Sequence, residues 1–490
     1  MKNNVQLITY VDRLTGSNIK ELNNTLNEQF SKLFSGVHLL PFYYPIDGSD
    51  AGFDPIDHTK VDSRIGSWQD VQILGEEYDV MADLIVNHMS AQSAEFQDVL
   101  RQGKNSLFWD LFLTQEKVFP EGLSNEQQER IYRPRPGSCF TEFSLPDNQS
   151  AMFWTTFTEN QIDIDVMSKS GQDYLARILS RFANNNVKII RLDAAGYAIK
   201  KAGSSCFMLE ETFEFINDLT KKANSLEIET LVEIHSYYQT QIEIAKRVDQ
   251  VYDFALPPLI LHSLFNQDFT ALENWLQISP RNCITVLDTH DGIGIIDVGP
   301  MNDKAGLLTN TEIDALVKKI HINSSGESKK ATGAAASNVD LYQVNCTYYD
   351  ALGKNDFDYL LARAIQFFAP GVPQVYYAGL LTEVNDMELL SKTQVGRDIN
   401  RPYLNNERIS KSLQKPITNA LIKLIQMRNN SDAFNGEFTI SSQQETLNMH
   451  WASKNATAKL VVNIAAREAV ISVQNKEETI LLNLNVLLIE

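Results

Sequence analysis

Residues 171–194 read GQDYLARILSRFANNNVKIIRLDA. In the first part Tyr174, Leu175, Ile178, Leu179 and Phe182 recur on one face at helical spacing, which predicts a helix over 171–185. The second part, 187–194, is a short β-branched and apolar run whose polar residues gather at its end, Arg191-Leu192-Asp193. A helix feeding a strand of this kind is one unit of an alternating α/β fold.

The pattern repeats outward in both directions. Further strands are expected at 5–12, 36–43, 79–88, 229–234, 248–256, 282–291 and 373–379, with helices at 17–34, 67–78, 209–224 and 356–369. Together with 187–194 this makes eight strands, the count of a (β/α)8 TIM barrel, with a doubly wound sheet as the weaker alternative. Two connections are too long for barrel loops. The 98 residues between His88 and Val187 leave room for an inserted domain, and 81 residues separate Asp291 from Pro373. The second stretch includes Lys329-Lys330-Ala331-Thr332-Gly333-Ala334-Ala335-Ala336-Ser337-Asn338, small residues that suit a mobile loop. Past Phe434 the helical pattern stops, and Thr446–Trp451 and Leu460–Asn463 alternate like antiparallel strands. The expected organisation is barrel over 1–88, insertion over 89–167, barrel over 168–291, a second insertion over 292–355, barrel over 356–433 and a small β domain over 434–490.

Composition narrows the class. With 43% hydrophobic and 21% charged residues the 490-residue chain can bury a core. A net charge of −19 argues against nucleic acid and anionic membranes as partners, and requires a local cluster of cations for any anionic substrate. Cys139, Cys206, Cys283 and Cys346 form no CxxC and too sparse a set for a disulfide framework. The start has no apolar leader, and no apolar run approaches a membrane span, so the chain reads as soluble and cytoplasmic.

Barrel chemistry sits at the C-terminal strand ends, and there the titratable residues collect: Asn87-His88, Arg191-Leu192-Asp193, Glu233-Ile234-His235 and Thr289-His290-Asp291. A lone Asp at a strand end is usually a helix cap; three carboxylates with histidines and an arginine are a site. Strand alternation puts Ile189, Arg191 and Asp193 on one face of their strand, and Glu233 and His235 on one face of the next. Asp193 and Glu233 can then face each other at about 5–5.5 Å, the spacing of a retaining glycosidase pair. Arg191 beneath Asp193 is expected to keep that carboxylate ionised, leaving Glu233 the proton. The histidines show no metal-ligand spacing and no phosphate-loop motif occurs; Gly292-Ile293-Gly294 reads as a turn. No metal and no cofactor are expected.

The strand ends resemble the conserved regions of the α-amylase clan, glycoside hydrolase family thirteen: Asp83-Leu84-Ile85-Val86-Asn87-His88, Arg191-Leu192-Asp193-Ala194, Glu233, Leu287-Asp288-Thr289-His290-Asp291 and Gln161-Ile162-Asp163-Ile164-Asp165. Within the clan the resemblance is to its sucrose-splitting phosphorylases, through Gly52-Phe53-Asp54-Pro55-Ile56-Asp57-His58, Tyr132-Arg133-Pro134-Arg135-Pro136-Gly137, Asp340-Leu341-Tyr342-Gln343-Val344-Asn345 and Gly396-Arg397-Asp398-Ile399-Asn400-Arg401. The sequence departs from that group after Arg401, where it reads Pro402-Tyr403-Leu404.

The resemblance implies Asp193 as nucleophile, Glu233 as general acid/base and Asp291 as transition-state stabiliser. It implies Asp50, His88, Gln161, Arg191, His290 and Arg401 around the glucosyl unit, with Phe53 and Phe157 as apolar walls. Tyr197, His235, Asp340, Tyr342, Gln343 and Arg135 would line the acceptor side. Without it, Arg135 reads as solvated charge, Phe53 and Phe157 as core aromatics, and Arg401 as a partner for Asp50. The implied substrates are sucrose and inorganic phosphate, giving α-glucose 1-phosphate and fructose with retained configuration. The rivals are phosphorylases of sucrose 6′-phosphate or glucosylglycerate, a sucrose hydrolase, and an inactive clan member used as a binding subunit. A homodimer is a further expectation.

Overall fold

The computed structural model describes residues 2–48, 50–134, 137–332, 343–475 and 479–489. Arg135, Asp340 and Tyr342, and the small-residue run from Gly333, lie outside the described residues.

Eight parallel strands close a barrel in chain order: β1 (Gln6–Thr9), β2 (Gly36–Leu39), β3 (Asp79–Ile85), β4 (Val187–Asp193), β5 (Glu229–Val232), β6 (Gln250–Asp253), β7 (Cys283–Thr285) and β8 (Val372–Tyr376). Gln6 of β1 is in register with Gly36 of β2 on one side and Gln374 of β8 on the other, so the ladder has no edge. Each strand overlaps its expected position, and most are shorter than the apolar run that announced them. In 282–291 only Cys283–Thr285 belongs to the ladder. The rest is held by side chains. Asp288 accepts two bonds from Nη2 of the buried Arg363, at 2.7 and 2.8 Å, while Asn400 Nδ2 donates to the carbonyls of Thr289 and Asp291 at 3.2 and 2.8 Å. His290 and Asp291 thus leave the sheet and reach the mouth.

The expected helices form as α1 (Ile19–Glu28), α2 (Trp68–Glu77), α3 (Lys169–Ala183), α4 (Glu210–Asn224) and α5 (Asp356–Phe368). In α3 the buried face includes Tyr174, Leu175, Ile178, Leu179 and Phe182, the stripe read from the sequence. Ser168 caps it by accepting from the Gly171 amide at 3.0 Å. Gly171 has a packing reason: a Cβ there would lie 2.0 Å from the Asp165 carbonyl oxygen.

Between β3 and β4, His88–Ser90 pairs antiparallel with Gln161–Asp163, and Phe140–Ser144 with Ser150–Trp154. Leu113, Phe119, Ile131, Cys139, Phe140 and Trp154 form a separate apolar cluster, which Cys206 joins from the connection after β4. Between β7 and β8, Ile293–Gly294 pairs antiparallel with Gln343–Val344. The expected plain turn at Gly292-Ile293-Gly294 is therefore corrected to a short ladder. Its glycines are required by close packing, since a Cβ on Gly292 would meet Asn345 Oδ1 at 2.6 Å.

The chain ends in a five-stranded antiparallel sheet, from β9 (Glu437–Gln443) to β13 (Thr479–Asn483). Trp451 docks it on the barrel by donating Nε1–H to the Phe368 carbonyl at 2.8 Å. After Arg401 the loop is tethered: Tyr377 OH donates to the Pro402 carbonyl and the Leu404 amide to the Arg13 carbonyl, both at 2.7 Å. The four cysteines are buried and unbridged. Among the described residues no helix is long and apolar enough to cross a membrane.

Candidate active site

The register of β3 and β4 sets Asp83 beside Arg191 inside the barrel. The Arg191 guanidinium is shared by three carboxylates. Nη1 reaches Asp83 Oδ1 at 2.5 Å and Asp193 Oδ1 at 2.8 Å, and Nη2 reaches Glu233 Oε1 at 2.9 Å. Asp193 and Glu233 therefore stand side by side on one planar fork, as the alternation of β4 and the end of β5 predict. The second Glu233 oxygen accepts from the Ala194 amide at 3.3 Å. Below, Asp83 is anchored by His38 Nε2 at 3.0 Å. Burial pushes the Asp83 carboxyl up, but His38 and Arg191 prevail and bring it down to about 2.

One guanidinium cannot neutralise three buried anions. Burial pushes the Asp193 carboxyl well above the usual carboxylate range, with Glu233, Asp83 and Asp291 adding to it and Arg191 opposing. Arg191 lies against Asp193 as expected and opposes this rise, but the sequence could not show how many carboxylates converge on that arginine.

Asp291 is the contrasting anion. Burial would push it up, yet Arg397, His290 and Arg401 hold it well below the ordinary range. Arg397 Nη1 lies 2.8 Å from Asp291 Oδ1, His290 Nε2 is 3.4 Å from Oδ2, and Arg401 Nη2 is 3.9 Å from Oδ1. Burial brings the His290 imidazole down to about 3, so the ring is neutral near pH 7. Phe53 stacks on it with centroids 4.8 Å apart.

The two arginines of Gly396–Arg401 divide their tasks in a way the sequence did not show. Arg397 lines the pocket. Arg401, expected at the glucosyl unit, lies buried behind the wall and donates Nε–H to the His290 carbonyl at 2.7 Å. Arg397→Met is expected to lower kcat/KM for the glycosyl donor about ten- to a hundredfold, the loss of one charge-assisted contact. Steady-state kinetics on the variant checks this, with an unchanged value counting against Arg397.

The remaining walls line a pocket at the barrel mouth. Asp50, His88 and Gln161 lie together: Gln161 Nε2 is 3.1 Å from His88 Nε2 and 3.5 Å from Asp50 Oδ2. Phe157 packs between His88 and Tyr197, at centroid distances of 5.3 and 5.1 Å. Phe53 and Phe157 both face the pocket, as do Tyr197, His235 and Gln343. The aromatic wall continues through residues not expected from sequence, Phe207 and Tyr132, whose rings stack at 4.4 Å. A buried ammonium ties this wall to the inserted segment: Lys200 Nζ lies 2.7 Å from Asp163 Oδ2 and donates to Asn87 Oδ1 at 2.9 Å. Among the described residues no group of three His, Cys, Asp or Glu is placed to hold a metal ion.

Comparison with known proteins agrees with this geometry. The family model "Alpha amylase, catalytic domain" matches residues 33–253. A sucrose phosphorylase of Agrobacterium vitis is 59% identical, the match covering 96% of this chain and 97% of the relative. One from Bifidobacterium adolescentis is 51% identical over 94% of this chain and 92% of the relative. The crystal structure of a sucrose 6F-phosphate phosphorylase from Thermoanaerobacter thermosaccharolyticum superposes with a TM-score of 0.90 at 37% identity, covering 99% of this chain and 98% of that one. On its closed barrel, its three carboxylates at the mouth and these full-length relatives, the chain belongs to the α-amylase family, in the group of the sucrose phosphorylases and their phosphorylase kin.

Proposed function

We propose that the chain converts sucrose and inorganic phosphate into α-glucose 1-phosphate and fructose by double displacement. The observation that carries the mechanism is the shared guanidinium: Arg191 holds Asp193 and Glu233 side by side, with Asp291 on the same pocket, beyond the end of β7. Glu233 protonates the glycosidic oxygen while Asp193 attacks the anomeric carbon, through an oxocarbenium-like transition state. Asp291, kept anionic by Arg397, lies where it can stabilise the positive charge that develops on the sugar. Esterification of Asp193 removes a negative charge beside Glu233, which favours Glu233 as the carboxylate that then takes a proton from phosphate.

The apolar faces of Phe53 and Phe157 suit the glucosyl ring, and Asp50, His88 and Gln161 suit its hydroxyls. Tyr197, His235 and Gln343 lie toward the acceptor, where Arg135, Asp340 and Tyr342 are proposed from sequence. Carboxylates carry the whole reaction, so no cofactor enters it. Incubation with sucrose tests this reading. Glucose 1-phosphate should form in proportion to fructose when phosphate is present, and slow release of free glucose should replace it when phosphate is withheld. Free glucose at the same rate under both conditions would mean a hydrolase, and turnover confined to phosphorylated sucrose would move the substrate.

A further inference from the structure

Asp297 is fully buried on the short helical turn Ile296–Val298, outside every motif that marks the site. Each of its partners is a donor. Oδ1 accepts from the Ser236 amide at 3.1 Å and from Gln241 Nε2 at 2.7 Å, and Oδ2 lies 3.1 Å from His235 Nδ1. This pins Nδ1 of His235 as the donating nitrogen and turns Nε2 into the pocket. Phe254 stacks on the same ring, with centroids 3.9 Å apart, and fixes its plane.

Across the pocket, Gln343 Oε1 accepts from the Gly292 amide at 3.2 Å, so its amide nitrogen faces His235 Nε2 at 3.5 Å. Once the imidazole is charged, two N–H donors converge on one point, a fit for an oxygen anion. The carboxylates of Asp297, Glu233 and Asp291 all face the ring; burial opposes its charging, and these three outweigh it, raising its pKa. Gly294 leaves room for the couple, since a Cβ there would lie 2.9 Å from Asp297 Oδ2 and 3.3 Å from His235 Nδ1.

We propose that Asp297 is a positioning residue for phosphate, holding His235 as a charged donor that grips one oxygen of the attacking dianion together with the Gln343 amide. It deepens the reaction proposed above and rests on it. Asp297 touches no reacting atom, so its effect is selective for an anionic acceptor over a neutral one.

The experiment loads wild type and Asp297→Asn from α-glucosyl fluoride and follows capture by phosphate and by fructose across pH 5.5–8. With Asp297→Asn, kcat/KM for phosphate is expected to fall about ten- to a hundredfold, and the alkaline fall of the phosphate profile is expected to move to lower pH. Capture by fructose should change by a few-fold at most. Gly294→Ala, which presses the couple apart, should act in the same direction. Should Asp297→Asn not fold, NMR titration of the wild-type imidazoles decides: a His235 ring neutral on both sides of pH 6 overturns the proposal. Equal losses for phosphate and fructose, or an unmoved profile, overturn it too. Failure of the wild type to capture with phosphate at all would instead sink the underlying reaction.

Discussion

Glu233→Gln should lower turnover of sucrose by about 10²–10⁴-fold, the usual contribution of a positioned general acid, and leave the protein folded. The fold is expected to survive because glutamine keeps the shape and its amide oxygen can still accept from Arg191 Nη2, as Glu233 Oε1 does at 2.9 Å. α-Glucosyl fluoride needs no proton on its leaving group, so it should still load the enzyme. The ester then persists, because the base for phosphate is missing. Peptide mass analysis after quenching should place one hexosyl group on the peptide containing Asp193. A hexosyl group on any other residue would reassign the nucleophile, and undiminished sucrose turnover would remove Glu233 from the mechanism.

Arg363→Leu is expected to lower stability by about 3–5 kcal/mol, the cost of stripping one partner from a buried ion pair. Its guanidinium is fully buried, donates to both oxygens of Asp288, and donates Nη1–H to Gln366 Oε1 at 2.9 Å. Gln366 in turn donates to the carbonyls of Thr285 and Gln374, on β7 and β8, at 2.9 and 2.8 Å. Loss of the arginine leaves a carboxylate without its counter-ion three residues before Asp291, so activity should fall along with the urea midpoint. Adding Asp288→Asn should restore part of the stability, since the stranded charge is gone. A single variant that unfolds at the wild-type midpoint would show that solvent reaches Asp288 and that the pair contributes little.

The barrel was legible because parallel strands buried on both faces read as apolar runs separated by amphipathic helices. Their ends were not, since residues such as Val286 and Leu287 remain apolar after leaving the ladder. Side-chain alternation brought Arg191, Asp193 and Glu233 together correctly, because register alone decides it. What alternation cannot report is convergence from a neighbouring strand, and Asp83 arriving from β3 is why Arg191 serves three carboxylates where two were expected. Arg397 and Arg401 sit four residues apart in one irregular turn. With no periodicity there, nothing in the sequence distinguishes the one at the pocket from the one behind it. Asp297 had no signal either: a lone aspartate gains its meaning only when the chain folds back on His235.

The pairing of β1 with β8 bears on how the molecule is made. During synthesis the strands emerge from the first to the last, and β1 and β7 each show an unpaired edge until Val372–Tyr376 is inserted between them. Such edges are sticky templates for other chains, and a contact joining Gln6 to Gln374 is among the slowest kind to form. Pocket residues run from Asp50 to Arg397, so a nascent chain stopped before its eighth strand carries Asp193, Glu233 and Asp291 but lacks Arg397. Competence is therefore acquired late and all at once, and the exposed interval before closure is the period in which chaperones have most to protect.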